Sequence, residues 1–174
     1  MTAAARPGAD EYSPYFGRYI GRVADHENIL EVLETQREDV LSQIGQVPET
    51  RGDYRYAPGK WTIKEVLGHL SDAERIFAYR ALRMARGDTT PLPGFEEDDY
   101  VPPMEAATHT LAERLEEWDH VRLASLDLFR LLPPAAWTRR GMASDQPFSV
   151  RALAYVIAGH TRHHLETLRT RYQV

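Results

Sequence analysis

Residues 61–87 read WTIKEVLGHLSDAERIFAYRALRMARG, and the reading of this stretch decides the fold. Thr62 with Glu65 three places later is a capping box, in which hydroxyl and carboxylate satisfy amide groups that a first helical turn leaves without partners. Val66, Leu67, Leu70, Ala73, Ile76 and Phe77 then recur at spacings of three and four, a single apolar stripe. Gly87 marks the stop, because glycine enters the left-handed conformation of a helix C-terminus at little cost. A helix with one apolar face needs other helices to cover it.

The flanking segments supply them. From about Tyr15 to Ile44, the positions Phe16, Ile20, Val23, Leu30, Leu33, Val40, Leu41 and Ile44 predict a first long helix, followed by Pro48 and Gly52. From Met104 to Leu132, the inward positions Leu111, Leu115, Trp118, Val121, Ser125 and Phe129 predict a third, ended by Pro133 and Pro134. Ser149 is a fitting N-cap for a fourth that runs to about Tyr172. No useful stretch alternates with period two, so no β-sheet is expected. The expectation is an all-α, four-helix bundle with long connections, one domain over residues 1–174 with a flexible segment at 1–14. All three connections are long enough to cross the bundle, so helix order and direction stay open. The connection through Pro91, Pro93 and Gly94 to Pro103 is acidic at Glu96, Glu97, Asp98 and Asp99, and suits either a lid or a plain crossover.

Composition removes several classes of function. With 43% hydrophobic and 27% charged residues the chain has the balance of a globular protein, not a disordered one. Its net charge is -5 and its 21 Lys and Arg residues are scattered, so no concentrated basic face offers itself to nucleic acid. No stretch approaches the roughly 20 apolar residues of a membrane helix. The opening MTAAARPGADEYSPYFGRY lacks the apolar core of a signal peptide, and a cytoplasmic location is expected. There is no cysteine, which excludes disulfides, thiolate ligands and a cysteine nucleophile. Any thiol chemistry must use a thiol that arrives with a substrate.

Seven histidines remain as candidates: His26, His69, His109, His120, His160, His163 and His164. The closing stretch GHTRHHLETL, residues 159–168, puts His160 and His164 four apart, neighbours on one helical face. Both fall on the apolar stripe of Leu153, Ile157 and Leu168, so they point into the bundle. His163 competes with His164 for spacing, but the centre of the stripe favours His164. His69 lies on the stripe of Val66, Ala73 and Ile76 and also faces inward. Three neutral imidazoles from two helices would fill three positions of a metal site and leave one open for water or substrate. A hydrogen-bonded core role is the plainer account of any one of them alone. His26, His109 and His120 read as structural or exposed. A Glu directly after the first histidine of the pair, the base of the HExxH metalloproteases, is missing, as are phosphate loops and a serine nucleophile elbow.

The stretches RYAPGKWTIKEVLGHLSDAERIFAYRALRMARGD (55–88), PLPGFEEDDYV (91–101) and GHTRHHLETL (159–168) resemble the DinB-like (YfiT-like) metalloenzymes, with the likeness running from about Tyr19 to Tyr172. The tryptophan-led second helix with a mid-helix histidine, followed by a late HxxxH, is the specific part. By position the family's three metal-binding histidines fall on His69, His160 and His164. The resemblance implies a four-helix bundle, often dimeric, holding zinc, nickel, iron or manganese. It also implies a small-molecule substrate and a homodimer, beside the absence of membrane and nucleic-acid partners that composition predicts. Relatives with assigned activities transfer low-molecular-weight thiols such as bacillithiol or mycothiol, or use mycothiol in an isomerisation. The expected function is thus metal-dependent S-transfer to an electrophilic small molecule. The alternatives are metal-dependent hydrolysis and a non-catalytic, metal-stabilised bundle. Asp72, Glu74 and Glu166 are candidates to support the ligands, though solvated helix charges account for them more simply. Arg80, Arg83 and Arg162 suit a cofactor carboxylate or plain exposed positions equally.

Overall fold

A computed structural model describes residues 5–174; residues 1–4, part of the segment expected to be flexible, lie outside the described residues. Among the described residues there are six α-helices: α1 (Gly17–Ile20), α2 (Ile29–Ile44), α3 (Ile63–Ala85), α4 (Glu97–Tyr100), α5 (Leu111–Arg130) and α6 (Val150–Thr167). The long ones, α2, α3, α5 and α6, form the four-helix bundle. α6 continues as a turn of π-helix from Leu168 to Tyr172. Helices α2 and α3 each pack against both α5 and α6. The pairs α2/α3 and α5/α6 therefore sit across the two diagonals, while α3 and α5 are neighbours, an order that the long connections make possible.

The end signals of α3 and α6 act as their chemistry dictates. Thr62 Oγ1 accepts the Glu65 amide at 3.1 Å, the Glu65 carboxylate accepts the Thr62 amide at 2.6 Å, and Gly87 turns left-handed at φ 81°. Ser149 caps α6 by accepting the amide of Ala152 at 3.1 Å.

Elsewhere the expected elements are broken up. The first predicted helix is two pieces, α1 and α2. The chain leaves the helix at Gly21 and starts again where the Asn28 side chain caps the Leu30 amide at 3.0 Å. Ile20, Val23 and Leu33 are fully buried all the same, so the apolar spacing survived the break that it concealed. The third predicted helix starts at Leu111 instead of Met104. Thr110 and Glu113 form a second capping box there, and Glu105 before it adopts a left-handed φ of 47°.

The expected absence of a sheet is also corrected. β1 (Arg140–Ala143) and β2 (Gln146–Ser149) form an antiparallel hairpin. Ser144 and Asp145 make its turn with φ of 52° and 57°, the doubly left-handed geometry that usually recruits Asn-Gly. Strands of four residues, one carrying Pro147, are too short to show alternation. The hairpin ties two loops to the bundle: Leu92 bridges to Ala143, and Tyr12 to Phe148. The described part of the N-terminal segment is fastened too. Glu11, only 3% exposed, makes a two-pronged ion pair with Arg151 at the start of α6. Burial works against the Glu11 carboxylate, but hydrogen bonds from Arg151, Ser149 and the Gly8 amide draw its pKa down to about 2.

α1 lies so close to α6 that glycine is required at the crossing. A Cβ on Gly159 would fall 1.9 Å from the carbonyl oxygen of Tyr19. This contact sets Tyr19 beside the next residue of α6, His160.

Candidate metal centre

His69 comes from α3, and His160 and His164 from successive turns of α6, the helix packed against it. Their Nε2 atoms converge: His69 and His160 are 3.0 Å apart, and His160 and His164 are 3.1 Å apart. The ligating nitrogens of all three lie within 4.8 Å of one another. An aromatic nitrogen offers one in-plane hydrogen or one lone pair, so His160 Nε2 can make one good hydrogen bond and not two. Hydrogen bonding among the three leaves a contact unanswered, whereas a cation at the centre uses every lone pair. Zinc bound to imidazoles at ~2.1 Å in a tetrahedron separates its nitrogens by ~3.4 Å, a few tenths more than seen here. The residues fit a divalent metal ion.

Electrostatics agree with that fit. Burial pushes the His69 pKa down to about 4 and those of His160 and His164 well below the ordinary value, with the neighbouring histidines adding to it. All three are therefore neutral near pH 7, the form in which imidazole binds a metal. The shift has a consequence for the metal-free protein. Below the ordinary value of 6.5 the unfolded chain takes up protons that the buried imidazoles refuse, so stability falls as pH falls. Urea midpoints of metal-free protein at pH 7 and pH 5 are expected to show a loss of about 2 kcal/mol from His69, with His160 and His164 adding in the same direction. Glu11 and Glu27, both near 2, titrate below that window. A flat profile between the two pH values would show that the imidazoles are not held neutral by burial.

Aromatic rings wall the cluster. The Trp61 ring is 4.7 Å from His69 and stacks on His164 at 6.5 Å, while Tyr19 and Phe77 meet His160 edge-on at 5.2 and 6.2 Å. The sequence reading used Trp61 only as a mark of the family resemblance, without a role at the histidines, and did not single out Tyr19. Nothing local marks Tyr19, because only the Gly159 crossing brings it there.

The remaining candidates separate cleanly. His163 is half-buried, with Nδ1 3.3 Å from Arg22 Nη2, and stands outside the cluster. His26, His109 and His120 are exposed. Glu74 is not a solvated charge but is buried against Arg122, with bonds of 2.8 and 2.9 Å. Glu166 pairs with Arg22 and Asp72 with Arg75, so none of the three carboxylates is bonded to a ligand histidine. Arg162 is spent on Glu27 and Arg83 on Asp88. Two cavities flank the centre. One, of about 450 Å³, reaches His160, and another, of about 330 Å³, reaches His164 and Trp61. Asp98 of the acidic connection lines both.

The profile of the DinB superfamily matches residues 32–168, most of the chain and all three clustered histidines. The chain belongs to the DinB superfamily. Among solved structures, this DinB-superfamily protein is similar to YfiT from Bacillus subtilis, described as a probable metal-dependent hydrolase with an unusual four-helix bundle topology. The TM-score is 0.71 at 18% identity, with 98% of each chain covered, a likeness of fold. Among curated proteins none matches significantly. No helix of the described residues is long and apolar enough to cross a membrane.

Proposed function

We propose that His69, His160 and His164 hold one divalent metal ion, zinc, nickel, iron or manganese, and that the protein uses it to join a low-molecular-weight thiol such as bacillithiol to an electrophilic small molecule. One observation carries this reading: three neutral imidazole nitrogens converge beside an open cavity, and no carboxylate joins their cluster among the described residues. A divalent ion bound by neutral ligands keeps its full charge and strongly acidifies a thiol at its open position. With a free pKa near 8.5, a thiol needs no protein base to ionise there. Activation of water in the HExxH enzymes, by contrast, uses a glutamate beside the ligands. The chain has no cysteine, so the sulfur must arrive with a ligand. In the transfer the sulfur–carbon bond forms, the leaving group departs with its electron pair, and the thiol proton passes to solvent. Trp61, Tyr19 and Phe77 keep the reacting end dry, which strengthens every charge interaction there.

Hydrolysis is the second reading, favoured by the description of YfiT, which has the same fold. The test is turnover by metal-loaded protein of chloro-dinitrobenzene with a panel of thiols, and of nitrophenyl esters without any thiol. Conjugation that needs both metal and thiol is the expected result. Metal-dependent ester cleavage without thiol would favour hydrolysis instead. Silence in both assays would leave the metal as a fastening between α3 and α6.

A further inference from the structure

Among the described residues, Lys64, Arg114 and Arg122 are buried cations, and each has a carboxylate partner. Arg80 is the exception. It is 2% exposed, and its hydrogen bonds run from Nη2 to the Pro93 carbonyl at 2.8 Å and the Ser144 hydroxyl at 3.0 Å. Both are neutral acceptors, and no described carboxylate pairs with the guanidinium. Burial lowers the pKa of Arg80 with no acid opposing it. A buried charge without a counter-charge is strongly unfavourable, so its retention asks for an anion from elsewhere.

The place for one is adjacent. Arg80 lines the same cavity of about 450 Å³ that reaches His160. The Phe77 ring neighbours both, 6.2 Å from the His160 ring and 5.8 Å from the Arg80 guanidinium carbon. Phe95 lies 5.8 Å from the same carbon on another side. Nη2 is fixed by the loop and the hairpin, while Nε and Nη1 have no hydrogen-bond partner among the described residues, so the planar fork keeps donors for an anion.

We propose that Arg80 is the carboxylate anchor of the small molecule that reacts at the histidine cluster, an inference that rests on the metal-centre reading above. The walls between anchor and cluster are aromatic, from Phe16, Tyr19, Phe77 and Phe95, so the middle of the ligand is apolar. Glu96, Glu97 and Asp98 line the cavity from exposed positions. Water screens those outer charges far more than it screens buried Arg80, so they do not cancel the anchor. They do disfavour a second negative charge on the ligand. The ligand class is therefore a monocarboxylate with an apolar body and an otherwise neutral or cationic frame.

Binding of phenylacetate, its neutral isostere phenylacetamide and the dianion phenylmalonate can be measured by calorimetry on wild-type protein, metal-free and zinc-loaded. The Arg80 Nε–H resonance is followed by NMR in the same titrations. Phenylacetate is expected to bind at least about tenfold tighter than the amide, as charge-assisted hydrogen bonds imply, and to move the Arg80 resonance. Phenylmalonate should bind more weakly than phenylacetate. Arg80→Gln should erase the acid-over-amide preference while leaving zinc stoichiometry unchanged. Equal binding of acid and amide to the wild type, or no detectable phenylacetate binding, overturns the anchor without any variant having to fold. Zinc bound with no acid preference would remove the anchor and leave the metal centre. An acid preference without zinc binding would remove the metal centre and leave the anchor.

Discussion

In the His160→Ala variant, divalent metal that the wild type retains at near one equivalent should fall to background after dialysis, read by mass spectrometry of untagged protein. His160 is the shared vertex of the cluster, 3.0 Å from His69 and 3.1 Å from His164 through the same Nε2. Its loss leaves two imidazoles on different helices with nothing between them. The affinity cost should exceed the 10–100-fold typical of losing a residue that merely supports a ligand. A second measurement separates metal loss from unfolding. Zinc at about a thousand times its dissociation constant stabilises a native site by about 4 kcal/mol, so the wild type should gain that in urea and the variant should not. His163→Ala is the control, since His163 is turned to Arg22 and should keep its metal. Equal metal content in all three proteins would rule out the cluster as the binding site.

Arg122→Ala should cost about 3–5 kcal/mol in urea unfolding, a large share of the stability of an ordinary domain. Arg122, on α5, is 0% exposed and touches each of the other three bundle helices. It donates to both carboxylate oxygens of Glu74 on α3 at 2.8 and 2.9 Å, and to the Leu33 carbonyl on α2 at 3.1 Å. It also donates to the Thr161 hydroxyl on α6 at 2.9 Å. Truncation strands the Glu74 carboxylate in the core, where an unpaired charge is worse than no charge. The double variant Arg122→Met, Glu74→Leu should recover most of the loss, because burying the ion pair is itself costly. A double variant as unstable as Arg122→Ala would assign the loss to packing rather than charge. Thr161 adjoins His160, and Glu74 shares α3 with His69, so the same pair holds in register the two helices that carry the candidate ligands.

Signals confined to one helical turn were legible in advance. The Thr62–Glu65 box, Gly87 and Ser149 bound α3 and α6 through bonds between residues three or four apart. The inward direction of His69, His160 and His164 follows from their place on apolar stripes, which the period of the α-helix fixes. The Thr110–Glu113 box is as local as the others, but apolar spacing continuing back toward Met104 hid it. The same spacing hid the break between α1 and α2, since buried loop residues such as Val23 mimic a stripe.

Glu74 shows the limit of that legibility. Alone on its helix it reads as a solvated charge, and its partner Arg122 is 48 residues away. Arg80 reads equally as a carboxylate binder and as an exposed helix charge until Pro93 and Ser144 close over it.

By itself, the sequence determined the four bundle helices, the ends of two of them, the three histidines turned to the core and the exclusion of any protein thiol. These are properties of single helices or of composition, and local hydrogen bonding and periodicity suffice for them. Tertiary structure alone decided the order of the helices around the bundle, the hairpin that fastens the loops, the approach of Tyr19 at Gly159 and which charges are buried. Each of those depends on the meeting of segments distant in the chain, and no residue's own spacing records which segment will cover it.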